Sequence, residues 1–256
     1  MIKIISVMVA AMLAVPSVCL AATAEASDNT VIDNTEASCD STGDKSRFYI
    51  FLSDVYVGWG GNHVEAPASD AIKSTVWEAG VLNFASLGYN FNQDRSRLSL
   101  GVGFNWTHYG LRKDFSWYRG DGGVLGWTPN AELYDEQYDK SRSSLTLYSM
   151  QFPLMFNQSL GKKWDVAVAG ILNWNYYAHF TNNYSLDHSD YHVTTHGLKQ
   201  RKVSFDLLGQ VSWHGIGAYL RYSPQSVFKT GYGPEMKNRW TLGIVLRGAL
   251  TPRDKK

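Results

Sequence analysis

Cysteine and charge are what this chain has least of. Two cysteines occur in 256 residues, and Asp, Glu, Lys and Arg together make only 18%. Lys3, the apolar run from Ile4 to Val15, the break at Pro16 and the small residues Ala21, Ala22 and Ala24 follow the order of a secretory signal peptide. Residues 1–24 are therefore expected to be removed. Cys19 goes with them and leaves Cys39 alone, so an intramolecular disulfide is excluded. Val18 stands where a small residue would precede a lipid-anchored cysteine, which argues against Cys19 as an anchor. The formal net charge is +1, and losing Lys3 brings it to balance. The concentrated basic surface that nucleic acid requires is missing. After the leader no apolar run is long enough for a transmembrane helix.

Aromatic residues, by contrast, reach 14%, with 9 Trp and 15 Tyr, alongside 23 Gly. The stretch LSLGVGFNWTH at 98–108 shows what they are for. Leu98, Leu100, Val102, Phe104 and Trp106 alternate with Ser99, Gly101, Gly103, Asn105 and Thr107. Successive strand side chains point to opposite faces, so this is a strand with one apolar and one small polar face. Roughly 9–11 tilted strand residues cross a bilayer, which is the length found here.

Eight such segments follow one another at 48–59, 76–91, 98–111, 145–156, 164–176, 203–213, 216–224 and 240–250. The first two alternate least cleanly. Short connections at 92–97, 157–163 and 214–215 alternate with long ones such as 112–144 and 178–202. That is the rhythm of an all-β, eight-stranded antiparallel up-and-down transmembrane β-barrel. The short turns are expected on the periplasmic side and four longer loops outside. A water-soluble barrel would carry its polar face outward, rich in charge. Here the polar face is Ser, Gly, Asn and Thr, and Trp and Tyr recur near strand ends, where an interfacial girdle places them. Residues 47–250 are assigned to the barrel and 251–256 to a C-terminal tail. Residues 25–46, acidic and almost free of apolar side chains, form a disordered N-terminal linker facing the periplasm.

The sequence QFPLMF at 151–156, LRYSPQSVFKTGYGP at 220–234 and the closing strand at 240–246 resemble the PorT-like outer-membrane β-barrels of Bacteroidetes. The resemblance covers about residues 47–250, and the tyrosine-serine-proline stretch is its most specific part. It implies an eight-stranded outer-membrane barrel and no particular activity. One departure is the ending TPRDKK in place of a terminal aromatic.

Inward parity puts Asp206, Arg221 and Arg247 on three neighbouring strands, with Asp54 and Glu78 on the first two. An eight-stranded interior is just wide enough for side chains to fill it, so these form a lumenal polar network rather than the wall of an open diffusion pore. The glycines of 98–108 are expected to leave room for such bulkier partners. The loop at 178–202 carries His179, Asp187, His188, Asp190, His192 and His196. His188, His192 and His196 are four apart and share one face of a strand or a helix, a pattern that suits zinc, copper or nickel. The neighbouring pair His188 and Ser189 raises an outer-membrane lipid-modifying hydrolase as an alternative, although adjacent residues rarely align as base and nucleophile. Trp117, Tyr118, Trp127 and Tyr134 in the loop at 112–144 suit a glycan or protein ligand, or equally a lid packed over the barrel mouth. The expected role is structural or binding, by a monomer in contact with membrane lipid and with a protein or glycan at its loops. No cofactor is implied. A subunit of an outer-membrane secretion or transport machine is the other alternative.

Overall fold

The structure is a computed structural model that describes residues 48–51, 54–64, 71–91, 95–112, 115–129, 138–160, 163–186 and 189–247. The leader, the linker at 25–46, the tail at 251–256, Tyr134, Asp187 and His188 lie outside the described residues.

The first segment is in two pieces, β1 (Phe48–Phe51) and β2 (Asp54–Val64), both antiparallel to β3 (Ile72–Phe91). Next come β4 (Ser96–Leu111), the short pair β5 (Phe115–Arg119) and β6 (Leu125–Pro129), β7 (Tyr138–Leu160) and β8 (Trp164–Leu186). The chain finishes with β9 (Ser189–Thr195), β10 (Val203–Trp213), β11 (Ile216–Ser223) and β12 (Met236–Arg247). Eight of these form the wall in the order β2, β3, β4, β7, β8, β10, β11, β12, every neighbour antiparallel, and β12 pairs back onto β2 to close it. The wall is a closed eight-stranded antiparallel β-barrel. Its seam runs from Arg247 opposite Asp54 to Met236 opposite Val64.

The local reasons are legible strand by strand. β10 and β11 are joined by a two-residue turn in which His214 (φ 51°) and Gly215 (φ 89°) both take the left-handed conformation, matching the twist of the flanking strands. In β3 the register shifts by two residues between Val81 and Ala85, a bulge in which Leu82 and Asn83 are both buried and Phe84 and Ala85 both exposed, so the alternation is interrupted there and the pattern is unclean. A second shift lies in β12 between Lys237 and Trp240, where Asn238 sits at φ 49°.

Several strands outrun the expected boundaries. β7 and β8 are 23 residues each, about twice what a bilayer requires. The fourth strand begins at Tyr138 rather than at residue 145, and the fifth continues to Leu186. Beyond the wall β8 exchanges β10 for β9, so much of what was expected to be a loop at 178–202 is sheet. β5 and β6 likewise turn part of the 112–144 loop into a hairpin.

Outward-facing residues on neighbouring strands form one apolar surface. Leu100, Leu154, Leu172, Leu207, Leu220 and Leu242 are all exposed, the last at 56%. Trp59, Trp164, Trp174, Trp213 and Trp240 are exposed too, at the two ends of that band. A soluble barrel would place such residues in its core. Here the interior holds Asp54, Glu78, Asp206 and Arg221, none more than 1% exposed.

Candidate functional site

The lumen is filled in four layers, read from the short-turn end to the long-link end. The first is polar. Arg247 Nε lies 4.0 Å from Asp54 Oδ1, its Nη1 donates to Ser212 Oγ at 3.4 Å, and its Nη2 donates to Asn157 Oδ1. The second is mostly apolar, made by Leu82, Met155, Ile171, Leu208 and Val245 around Tyr56 and Tyr219. The two tyrosine rings meet edge to face at 5.4 Å. Gly58 and Gly243 make this possible, since a Cβ at either would fall within 2.6 Å of the Tyr219 side chain. The glycines of 98–108 do not make room for arginines as expected: Gly101 faces the Asn83 side chain and Gly103 the backbone of Val81 and Leu82.

The third layer is the ionic centre. Glu78 Oε2 accepts from Arg221 Nη1 at 3.1 Å, while its Oε1 accepts from Tyr219 Oη at 3.0 Å and Thr241 Oγ1 at 2.6 Å. Arg221 also lies over the Tyr56 ring, 4.8 Å from its centroid. With its amide oxygen turned to Arg221, Gln151 accepts from both terminal guanidinium nitrogens at 3.2 and 3.3 Å. Arg239 completes the layer. Its Nη2 donates to Asp206 Oδ2 at 3.3 Å and Ser223 Oγ at 2.6 Å, and its Nη1 to Thr107 Oγ1 and Tyr109 Oη. Arg239 Nη2 is also 3.9 Å from Glu78 Oε2. Two carboxylates and two guanidinium groups therefore neutralise one another inside the wall, with hydroxyls and amides filling the remaining donor and acceptor positions. Buried charge is tolerated only on such terms.

All five residues expected in a lumenal network point inward, but their pairing differs from simple neighbourhood. Asp206, Arg221 and Arg247 do not bond to one another. Arg221 reaches across to Glu78, Asp206 takes Arg239, and Arg247 takes Asp54 at the other end. Arg239 was missed because the eighth segment was expected to begin at Trp240, although Arg239 shares the inward parity of Thr241 and Arg247 and lies opposite Ser223 in unbroken register.

The fourth layer is an apolar cap at the long-link end. Leu145, Leu147, Ala178, Phe180 and Met236 from the wall pack with Trp117, Leu125, Leu198, Val227 and Phe228 from the connections. Trp117 is 4% exposed and lies 5.4 Å from the Trp127 ring and 6.2 Å from that of Phe180. Of the aromatics expected to contact a ligand, Trp117 is instead a core residue and Trp127 packs partly against it. Tyr118 is exposed at 52%. The lid alternative describes this hairpin, because its apolar side chains find burial only by folding down over the mouth.

Among the described residues, His192 and His196 do not converge. His192, on β9, hydrogen-bonds the Asn183 side chain across the sheet and Thr194 Oγ1 at 3.3 Å. β9 ends at Thr195, so the shared face expected of a continuous element does not extend to His196. His196 Nδ1 instead hydrogen-bonds Tyr177 Oη at 2.7 Å, and its ring stacks on Tyr177 at 5.9 Å, with His179 at 6.3 Å. Among the described residues no three His, Cys, Asp or Glu side chains are grouped to hold a metal. The Ser189 side chain, like His188, lies outside what is described.

No family model matches the chain, and no curated protein does. Among solved structures, a triple mutant of the Rhodopseudomonas blastica porin aligns with 78% of this chain and 99% of its own, at 8% identity and a TM-score of 0.18. That similarity is too slight to carry a fold or a function across. The barrel rests on its own strand order.

Proposed function

We propose that the protein is a monomeric outer-membrane β-barrel of the PorT-like kind, with a structural or binding role exercised through its long-link face and not as an open diffusion pore. The observation that carries this is the inversion of sides: an exposed apolar band outside, and paired charge with packed side chains inside. Lipid is the solvent in which that band is satisfied, and closure leaves no unpaired strand edge within it. The paired charges and packed side chains that fill the lumen argue against a continuous water path. The cavity beside Arg239, bordered by Asn105, Ser149 and Asp206, measures only about 20 Å³, room for a single water. The short turns face the periplasm and the long links face outward.

Three measurements test this. Refolded protein in detergent should migrate faster on a gel unheated than boiled, and in planar bilayers it should give no steady conductance. A stable open-channel current would overturn the sealed reading. Leu242→Arg on the lipid face should lower the stability of the membrane-folded form by about 2–4 kcal/mol, seen as an earlier midpoint in denaturant titration from vesicles. A midpoint unchanged by this charge would mean that Leu242 does not face lipid.

A further inference from the structure

Just beyond the apolar band, where β10, β11 and β12 end, the wall opens into a cleft of about 190 Å³. A space holding a single water needs only ~10–15 Å³ on that measure. Its lining includes Arg201, Lys229 and Lys237, with one carboxylate, Glu235, which pairs with Lys237. The two links that form it are fastened to each other. Gln200 bridges Phe228, Arg201 N donates to Val227 O at 2.8 Å, and Lys229 N donates to Lys199 O at 3.1 Å. The cations are thus held by backbone rather than carried on a swinging loop.

Arg201 is also oriented. Its Nε donates to Ser226 O at 3.3 Å, which fixes the plane of the guanidinium and leaves both terminal nitrogens to donate to a second partner. Among the described residues neither Arg201 nor Lys229 has a carboxylate in salt-bridge range. Thr230 adds a hydroxyl to the same lining. A planar fork beside a lysine and a hydroxyl is the donor set that a phosphate monoester accepts.

Depth selects the source of the phosphate. Arg201 lies two residues before Val203, and Lys237 three before Trp240, both exposed members of the apolar band. Tyr222, exposed at the same level and hydrogen-bonded to Asn238 at 2.8 Å, is two residues before Pro224 of the lining. Aromatics of this kind mark the boundary between hydrocarbon and headgroup, so the cleft stands at headgroup level on the long-link side. The geometry points to a binding site for the phosphate of an outer-leaflet glycolipid, held by Arg201 and Lys229 with Lys237 at the edge. This rests on the membrane reading above.

The test uses the full chain in phosphatidylcholine nanodiscs doped with a phosphorylated lipid A or with the same lipid A after phosphatase treatment. Glycolipid retained per barrel is measured after detergent extraction. Wild type should retain the phosphorylated form preferentially, and the variant R201Q/K229Q should lose about tenfold of that retention. K163Q, in a short turn at the opposite end, should lose none. Equal retention of both lipid forms, or full retention by R201Q/K229Q, overturns the proposal. Inorganic phosphate alone displacing the lipid at millimolar concentration would overturn the lipid source and leave a free-anion site. Heat-dependent migration is recorded on the same samples. Its absence in wild type defeats the barrel reading itself, whereas its presence without lipid preference defeats only the cleft.

Discussion

Glu78→Ala is expected to cost about 3–5 kcal/mol of folded stability, the usual penalty for removing one partner of a buried ion pair. The reason is local. Glu78 is fully buried, accepts from Arg221, Tyr219 and Thr241, and stands 3.9 Å from Arg239. Without it, the buried Arg221 guanidinium loses its carboxylate and Arg239 keeps only Asp206. The measurement is the midpoint of urea unfolding from vesicles, followed by tryptophan fluorescence and by heat-dependent migration. Removing both charges together, as in Glu78→Met with Arg221→Met, should recover a large part of the loss, because buried ion pairs are often replaceable by apolar groups of similar volume. A double variant no more stable than Glu78→Ala would mean that the layer is needed for more than charge neutrality.

Trp117→Ala is expected to have a comparable cost of about 3–5 kcal/mol, but in a different place. Trp117 is contributed by the β5–β6 hairpin and buried between Trp127 and Phe180. Its loss removes the main side chain holding the hairpin over the mouth, so the energy is lost from local closure and not from the wall. Limited proteolysis of the folded protein should then cut between residues 115 and 129 much faster than in wild type, while heat-dependent migration stays unchanged. Tyr118→Ala, at an exposed position of the same strand, should alter neither measurement. If Trp117 instead served an external ligand, proteolysis of the unliganded hairpin would not respond to its removal.

The wall was legible because alternation over ten residues is a strong constraint when one face must be apolar. Leu98, Leu100 and Phe104 are exposed where the pattern puts them outward, and Ser99, Asn105 and Thr107 are buried inside. What stayed hidden has three physical causes. The bulge between Val81 and Ala85 breaks the alternation of β3, and Arg239 precedes the apolar alternation that marks β12 in the sequence. The outer parts of β7 and β8 pair Ser143 with Asn182 and Ser144 with Thr181, polar on both partners, so no alternation marks them as strands. The cap is assembled from distant pieces. Trp117, Leu198 and Phe228 come from three links far apart in the sequence, and only the closed wall brings them together. The phosphate cleft is hidden in the same way, since Arg201 and Lys229 become neighbours through the pairing of Gln200 with Phe228.

The seam between β12 and β2 has a consequence for how the molecule comes into being. Every other wall contact joins strands that follow one another around the barrel, within reach of hairpin formation. The seam joins opposite ends of the chain, so its loop-closure cost is met last, when the rest of the sheet is already in place. The lumen depends on that step, because Arg239 and Thr241 on β12 complete the ionic centre around Glu78 from β3. Until β12 docks, the maturing sheet carries two open edges, and Asp206 and Asp54 lack the Arg239 and Arg247 that β12 brings. Closure of the wall and neutralisation of the interior are therefore a single event, and a chain cut before β12 should behave as an open, aggregation-prone sheet and not as a weakened barrel.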